Sequence, residues 1–246
     1  MPMRINEIQL RRDLESAYPK LVLKKYGWDV LGSGYEGAVA VHPSKPYVLK
    51  LFLRKSLYKM FLVFCRENQP NIHLPVFFTG KESATMKQRQ DANEDYTTGK
   101  DPRISDIILE LPGTGATRLS AVRMEKLTPV SDTLLKFKFF PELSVLLLIS
   151  MQYNIRGISP ELQEFTLKRI QKVLNLDLAG VKALAKDRDR WDDLWTTIGR
   201  SPDQPWIDIV DKLFVFVKRN NLGPMDTHDA NLMRRGDTLV IIDPFA

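Results

Sequence analysis

The sequence predicts an α+β protein of two lobes, because strand patterns fill its first part and helical patterns its later part. Short apolar runs that alternate with turns occupy residues 28–52, and longer helical patterns follow Pro129. Strands grouped ahead of helices are typical of α+β proteins. We therefore predict a first lobe over residues 1–126 and a mainly helical second lobe over residues 127–246.

The first lobe begins with an antiparallel sheet, with strands predicted over residues 28–31, 38–41 and 48–52. Glycines fill the first gap and a proline-containing turn fills the second, as expected of two hairpins. Apolar residues then recur at helical spacing (Leu57, Met60, Phe61, Phe64 and Cys65), which predicts the buried face of a helix that ends before Pro70.

The rest of the first lobe has one polar stretch, at about residues 81–105, which we interpret as an inserted loop. Two more strands are expected after it, from Ile107 to Leu111 and from Thr117 to Glu125. Prolines and glycines between them, at residues 112–115, predict the connecting turn.

The second lobe carries two long helical patterns. Ser159 followed by Pro160 is a helix-start signature, a capping hydroxyl before a proline at the first helical position. The second pattern runs from about Pro205 to Asn220 and ends before a Gly-Pro pair. A last apolar strand is predicted from Leu239 to Ile242.

Composition restricts the classes of function. The net charge is +6, but 36 basic and 30 acidic residues are interspersed, which favours a mixed, solvated surface over a nucleic-acid groove. A single cysteine, Cys65, suits a reducing compartment. No secretory signal is visible, and the longest aliphatic run, from Leu143 to Met151, is shorter than a membrane helix needs. We expect a cytoplasmic protein without a membrane partner.

A glycine motif lies between the first two predicted strands, Gly32-Ser33-Gly34-Tyr35-Glu36-Gly37-Ala38-Val39. Spaced glycines let a hairpin backbone approach phosphates closely, with amide hydrogens directed at the anion. The same spacing opens the helix of a dinucleotide-binding unit, but here a strand follows. An ordinary glycine-rich hairpin is the alternative.

Lys50 lies among apolar neighbours in the third predicted strand. From there its ammonium can reach back under the glycine loop toward the phosphates of a nucleotide. A surface lysine on an edge strand is the alternative.

The most specific pattern lies late in the chain, where Asp226-Thr227-His228-Asp229-Ala230-Asn231 precedes an apolar strand that ends at Asp243. Phosphoryl transfer needs magnesium held by hard oxygen ligands, which Asn231 and Asp243 supply. It also needs a carboxylate that orients the attacking hydroxyl, a role open to Asp226. Helix-capping aspartates on a hairpin are the alternative.

Together these motifs resemble the protein-kinase-like superfamily, and most closely the early serine/threonine kinases of short-tailed lytic bacteriophages. The similar stretches are residues 31–42, 48–50, 64–66 and 225–244. The resemblance implies a bilobal protein-kinase-like fold. Its N-lobe (1–126) would be antiparallel β and would hold the glycine-rich loop, the lysine strand, the helix and the insertion. Its truncated C-lobe (127–246) would be mainly helical and would hold the catalytic loop and the metal-binding strand end.

The resemblance also implies roles for single residues. Asp226, Lys50 and His228 would be catalytic, with Asp226 orienting the acceptor hydroxyl and His228 touching the γ-phosphate. Asn231 and Asp243 would hold Mg²⁺. ATP would be bound by the glycine loop, the lysine and a hinge, that is by Gly32, Ser33, Gly34, Gly37, Val39, Lys50, Glu125 and Leu127.

Two of these assignments have open alternatives. The hinge, residues 124–127, could equally be a plain strand end. Glu67 is the only acidic residue in the helix after Lys50, and it is either the partner of that lysine or a solvated helix-end residue.

The function implied is an ATP- and magnesium-dependent serine/threonine protein kinase, phage-encoded and acting on proteins in the host cytoplasm, the transcription machinery among them. Met225 stands where many protein kinases carry arginine, Phe245 replaces an expected glycine, and no activation segment is expected after Asp243. A pseudokinase-like binding module that docks on a host protein and a small-molecule phosphotransferase therefore remain alternatives.

Overall fold

A computed structural model describes residues 27–33, 37–53, 57–78, 119–225 and 227–245 of the chain. Within these ranges the protein is a mixed α+β structure with antiparallel sheets and seven α-helices, so the predicted α+β class is confirmed. The described residues group into two compact units. The first comprises those up to Arg66 with those in Val76–Lys126, and the second comprises Glu67–Pro75 with those from Leu127 onward.

The first unit contains an antiparallel sheet whose strands lie in the order β1-β2-β3-β5-β4. The strands are β1 (Asp29–Ser33), β2 (Gly37–Val41), β3 (Tyr47–Leu53), β4 (Phe77–Phe78) and β5 (Leu119–Glu125). Strand β3 lies between β2 and β5 and carries buried residues on both faces, among them Leu49 and Phe52. Its central position explains why its apolar run is nearly continuous.

Part of the predicted first lobe lies outside the described residues. This part includes the insertion at about 81–105, the strand predicted from Ile107 to Leu111 and the turn after it. Strand β4 pairs with the end of β5, with Phe77 opposite Met124. A strand of two residues has no periodicity that a sequence could reveal.

Helix α1 spans Tyr58–Asn68, and Phe61, Phe64 and Cys65 of its predicted buried face are buried. Leu57 and Met60, assigned to the buried face, are only half-buried, whereas Tyr58 is buried. The Tyr58 ring packs on Phe52 with centroids 5.0 Å apart, and its hydroxyl lies 3.8 Å from the sulfur of Met124. These contacts place Tyr58 on the side of the helix that packs against the sheet.

The second unit is built around a buried helix, α3. The helices are α2 (Asp132–Lys138), α3 (Phe140–Tyr153), α4 (Pro160–Leu174), α5 (Leu178–Lys186), α6 (Trp191–Ile198) and α7 (Gln204–Asn220). Residues from Phe140 to Ser150 of α3 are all buried, because α4, α5 and α7 pack around it. No helix in the described part of the chain is long and apolar enough to cross a membrane.

Local chemistry sets the ends of the two long helices. Ser159 caps α4 by accepting a hydrogen bond from the amide of Leu162 at 3.4 Å, and Pro160 is the first helical residue, as predicted. Asp203 caps α7 in the same way, through the amide of Trp206 at 2.9 Å. Helix α7 ends at Asn221, which adopts a left-handed conformation with φ 51°.

A three-stranded sheet, in the order β6-β7-β8, completes the second unit. Its strands are β6 (Thr128–Pro129), β7 (Leu232–Arg235) and β8 (Thr238–Ile241). The predicted last strand is thus present, displaced by one residue. Strand β7 was not predicted, because its sequence, Leu-Met-Arg-Arg, carries no alternation of apolar and polar residues.

Candidate nucleotide and metal site

The β7–β8 hairpin brings Asn231 and Asp243 to one of its ends. Leu232 pairs with Ile241, and beyond this pair the amide of Ile242 donates to the carbonyl oxygen of Asn231 at 3.1 Å. Asp243 is the next residue along the strand direction. Both predicted metal ligands are half-buried. An amide oxygen and a carboxylate therefore start from neighbouring backbone positions, as a shared cation would require.

The loop before Asn231 is fixed to the start of α4. The amide of Met225 donates to the carbonyl of Arg156 at 2.9 Å, and the amide of Ser159 donates to the carbonyl of Thr227 at 3.1 Å. The backbone is thus held immediately before and immediately after position 226. Asp226 itself, the predicted catalytic carboxylate, lies outside the described residues.

Thr227 is fully buried within this loop. Among the described residues its hydroxyl oxygen has no hydrogen-bond partner, which is uncommon for a buried polar group and costs free energy. No sequence motif marked this residue, because a threonine between two polar residues gives no periodic signal. It shows that one side of the loop faces the interior of the unit.

His228 orients the side chain of Asn231. Its Nδ1 accepts a hydrogen bond from the amide of Ala230 at 3.1 Å, so in a neutral ring the proton lies on Nε2. The side-chain amide of Asn231 lies 3.3 Å from Nε2. The nitrogen of this side chain is the atom placed at the contact. Because two donors cannot bond each other, hydrogen bonding favours exchanging the amide nitrogen and oxygen, which directs the oxygen at Nε2.

This donor set fits magnesium. Mg²⁺ is held in proteins by one or two carboxylate or amide oxygens together with water and substrate phosphates. Asn231 and Asp243 provide two such oxygens at one end of the hairpin. Among the described residues no group of three or more histidine, cysteine, aspartate or glutamate side chains is placed to hold a metal ion.

Lys50 lies in the first unit, in the middle of the sheet. It is half-buried and has Val39 and Val122 as its partners on the two neighbouring strands. The edge-strand alternative for Lys50 is therefore wrong. Its ammonium lies 5.0 Å from the centroid of the Tyr58 ring, a cation–π contact that holds the side chain over the start of α1.

The glycine motif lies at the turn end of the β1–β2 hairpin. Gly32 pairs with Val39 and Ser33 with Ala38, and Gly37 begins β2 opposite Phe52. Gly34 lies outside the described residues. Strand β2, which begins at Gly37, thus lies beside the strand of Lys50, and Val39 is the direct neighbour of that lysine.

Glu125 closes the sheet of the first unit. Its carboxylate accepts from the amide of Val76 at 2.7 Å, and its own amide donates to the carbonyl of Val76 at 2.9 Å. The side chain of this predicted hinge residue therefore has a structural task. Leu127, the other hinge residue, is half-buried and is the first residue of the second unit after the strand.

Glu67, the candidate partner of Lys50, is exposed on the last turn of α1. Its contacts group it with the second unit. Tyr58, in the first turn of the same helix, is the residue that the structure places against the lysine. The sequence did not mark Tyr58, because its face of the helix was assigned through Leu57 and Met60.

No protein-family model, curated protein or solved structure matches this chain. The chemistry of the site therefore follows from its own residues.

Proposed function

We propose that the protein is an ATP- and magnesium-dependent phosphotransferase, and specifically a serine/threonine protein kinase. The observation that carries this proposal is the hydrogen bond between Ile242 and Asn231, which joins the loop and the strand end that bear the two metal-ligand candidates. A hairpin with capping aspartates would need no such arrangement of oxygen donors. Asn231, which accepts this bond, is the last residue of the Asp226–Asn231 motif, whose spacing is typical of phosphotransferases.

The residues of the second unit would divide the work as follows. Asn231 and Asp243 would hold the ion, and His228 would keep the amide of Asn231 in the orientation that the ion needs. Asp226 would orient the acceptor hydroxyl and take its proton. Magnesium, when bound, neutralises charge on the phosphates during transfer.

The residues of the first unit support nucleotide binding. The β1–β2 hairpin carries the glycines, and Lys50 is held in a central strand by its sheet neighbours and by Tyr58. Considered separately, each unit offers the residue types that one lobe of a kinase contributes. We therefore include in the proposal that the two units are the lobes of a bilobal protein-kinase-like fold that binds ATP.

The acceptor is proposed from the resemblance to early phage kinases. It would be a serine or threonine hydroxyl on a protein of the host cytoplasm, with the transcription machinery as the first candidate. The mixed surface charge supports a protein partner over a nucleic acid.

The deciding experiment is phosphate transfer from γ-labelled ATP in the presence of magnesium, with the chain alone and with added bacterial lysate. Wild type should label protein on serine or threonine, as phosphoamino-acid analysis would show, and Asp226→Asn should not. Asp237→Asn, on the exposed turn of the β7–β8 hairpin, is the matched control and should keep full activity.

Two results would contradict the proposal. If wild type neither binds ATP nor transfers phosphate, the chain is a binding module. If label appears only on small molecules, the phosphotransferase assignment stands but the protein acceptor is wrong.

A further inference from the structure

His73 connects the β7–β8 hairpin to helix α7. The side chain is only 3% exposed. Its Nδ1 lies 2.7 Å from the carbonyl oxygen of Leu239, in β8. Its Nε2 lies 2.7 Å from a carboxylate oxygen of Asp203, the residue that caps α7. One imidazole ring thus bridges the strand that leads to Asp243 and the start of a long helix.

Both partners of this ring can only accept hydrogen bonds. A backbone carbonyl has no proton to give, and the carboxylate of Asp203 already accepts from the amide of Trp206 at 2.9 Å. A neutral imidazole carries a single N–H, so two contacts of this length require both nitrogens to be protonated. The geometry therefore assigns a charged imidazolium paired with Asp203, the stronger class of hydrogen bond.

The surroundings protect the pair from water on one side. The Trp206 ring packs edge-on against the imidazole, with centroids 5.0 Å apart. Asp203 remains half-exposed, so the carboxylate keeps part of its hydration while the ring does not. A buried cation of this kind persists only where its partner is close and well oriented.

The backbone around His73 is fixed to the hairpin as well. The amide of Ile241 donates to the carbonyl of His73 at 3.0 Å. The guanidinium of Arg235, in β7, donates to the carbonyls of Ile72 at 2.7 Å and Leu74 at 3.1 Å. The segment 72–74 therefore occupies the edge of β8 that β7 leaves open.

Two consecutive amides at the end of β8 are held from opposite sides. Ile241 donates to His73, and Ile242 donates to Asn231. Because side-chain direction follows the backbone, a shift of this strand end would separate Asp243 from Asn231. The same segment is tied to α7 by Asn71, whose side chain donates to the carbonyl of Pro205 at 3.3 Å.

We propose that His73, as an imidazolium bound to Asp203 and Leu239, is a positioning residue that holds the end of β8 so that Asp243 lies beside Asn231. Its role toward a metal rests on the proposed function, whereas its hold on the strand does not. No sequence motif pointed to His73.

The first test measures the protonation of the His73 ring and the amide exchange of the strand end in the absence of nucleotide. Nitrogen NMR at pH 7 should show protons on both ring nitrogens of His73. Amide exchange at Ile241 and Ile242 should be about tenfold faster in Asp203→Asn, a variant whose amide oxygen still caps α7. A ring with one bare nitrogen, or exchange unchanged in the variant, would overturn the proposal.

The second test uses Mn²⁺ as a substitute for Mg²⁺. Asp203→Asn and His73→Leu should weaken Mn²⁺ binding about tenfold, and His73→Asn, which keeps a donor for Leu239, should fall between wild type and His73→Leu. Leu194→Ala, at a buried position of α6, is the control: it should lower the melting temperature but leave the affinity unchanged.

The outcomes separate the two proposals. If wild type binds no Mn²⁺, the proposed function is contradicted. The NMR and exchange results then test only whether His73 holds the end of β8. If wild type and His73→Leu bind Mn²⁺ with equal affinity, the positioning role is contradicted. The proposed function is not affected by that result.

Discussion

Met225 and Phe245 face each other in an isolated antiparallel bridge. This bridge places the residue before Asp226 opposite the second residue after Asp243. Together with the hydrogen bond from Ile242 to Asn231, it joins the loop and the strand end at two points. The Phe245 ring stacks on Phe216 of α7, with centroids 6.1 Å apart and planes 11° from parallel. A buried aromatic ring thus fixes the strand end to a helix.

The carboxylate of Asp243 should be essential for metal binding. We expect Asp243→Asn to weaken Mn²⁺ binding by at least about 100-fold, because the charge that neutralises the ion is lost while the shape of the side chain is kept. Isothermal titration against Mn²⁺ would measure it. Asn231→Asp, which keeps an oxygen donor and adds charge, should bind Mn²⁺ at least as tightly as wild type. Equal affinity in wild type and Asp243→Asn would show that the ion is not held here.

Lys50 should matter for turnover and little for folding. We expect Lys50→Met to reduce kcat/KM for ATP by on the order of 100-fold, because a positioned cation toward the phosphates is lost. The sheet should survive, since methionine keeps the apolar stem between β2 and β5.

Lys59→Met, a change of the same charge in α1, is the control for Lys50→Met and should leave kinetics unchanged. Equal kcat/KM values in both variants would remove Lys50 from the nucleotide site.

Within each unit, the proximity of the candidate residues could be predicted from sequence because they are close together along the chain. Asn231 precedes and Asp243 follows one hairpin, so their spacing brings them to the same end of it. The glycine motif and Lys50 lie on adjacent strands for the same reason. Short connections between neighbouring strands make such geometry a local property.

Other features depend on contacts between residues that are far apart in the chain, which sequence patterns do not reveal. His73 meets Asp203 and Leu239, which are 130 and 166 residues away in the chain, and no motif links them. Tyr58 is buried in addition to Phe61, Phe64 and Cys65 of the predicted helix face, because it makes a tertiary contact with Phe52 that helical periodicity does not reveal. Strand β7 forms because it is paired on both sides, although its two apolar residues and two arginines do not alternate.

Glu142, in the first turn of α3, should make stability depend on pH. Burial raises its pKa from the ordinary 4.5 to about 7, although Arg200, whose guanidinium donates to it, acts in the opposite direction. Since the folded pKa exceeds the unfolded one, the folded state binds more protons between these values. Stability should therefore be highest below about pH 4.5 for this group and fall as pH rises to about 7.

The size of this effect is roughly 3 kcal/mol. Urea unfolding of wild type and Glu142→Gln at pH 5, 6 and 7 would measure most of it: the difference in unfolding free energy between the two proteins should change by roughly 2 kcal/mol across the series, because part of the effect falls outside this pH range. Glu161→Gln, at an exposed position in the first turn of α4, should show no such change. A pH-independent difference for Glu142→Gln would mean that the buried carboxylate is ionised throughout and that its pairing with Arg200 outweighs its burial.

Thr227→Val should stabilise the protein. The buried hydroxyl of Thr227 has no hydrogen-bond partner in the described part of the chain, so replacing it with a methyl group of similar volume removes a desolvation cost of about 1 kcal/mol. Thr166→Val is the matched control, because the equally buried hydroxyl of Thr166 donates to the carbonyl of Leu162 at 2.7 Å; this change should cost about 1 kcal/mol instead. Urea titration of both variants would show opposite signs. A loss of stability in Thr227→Val would reveal that its hydroxyl has a partner in solution, and the loop before Asn231 would then be held by a polar contact rather than by its apolar side.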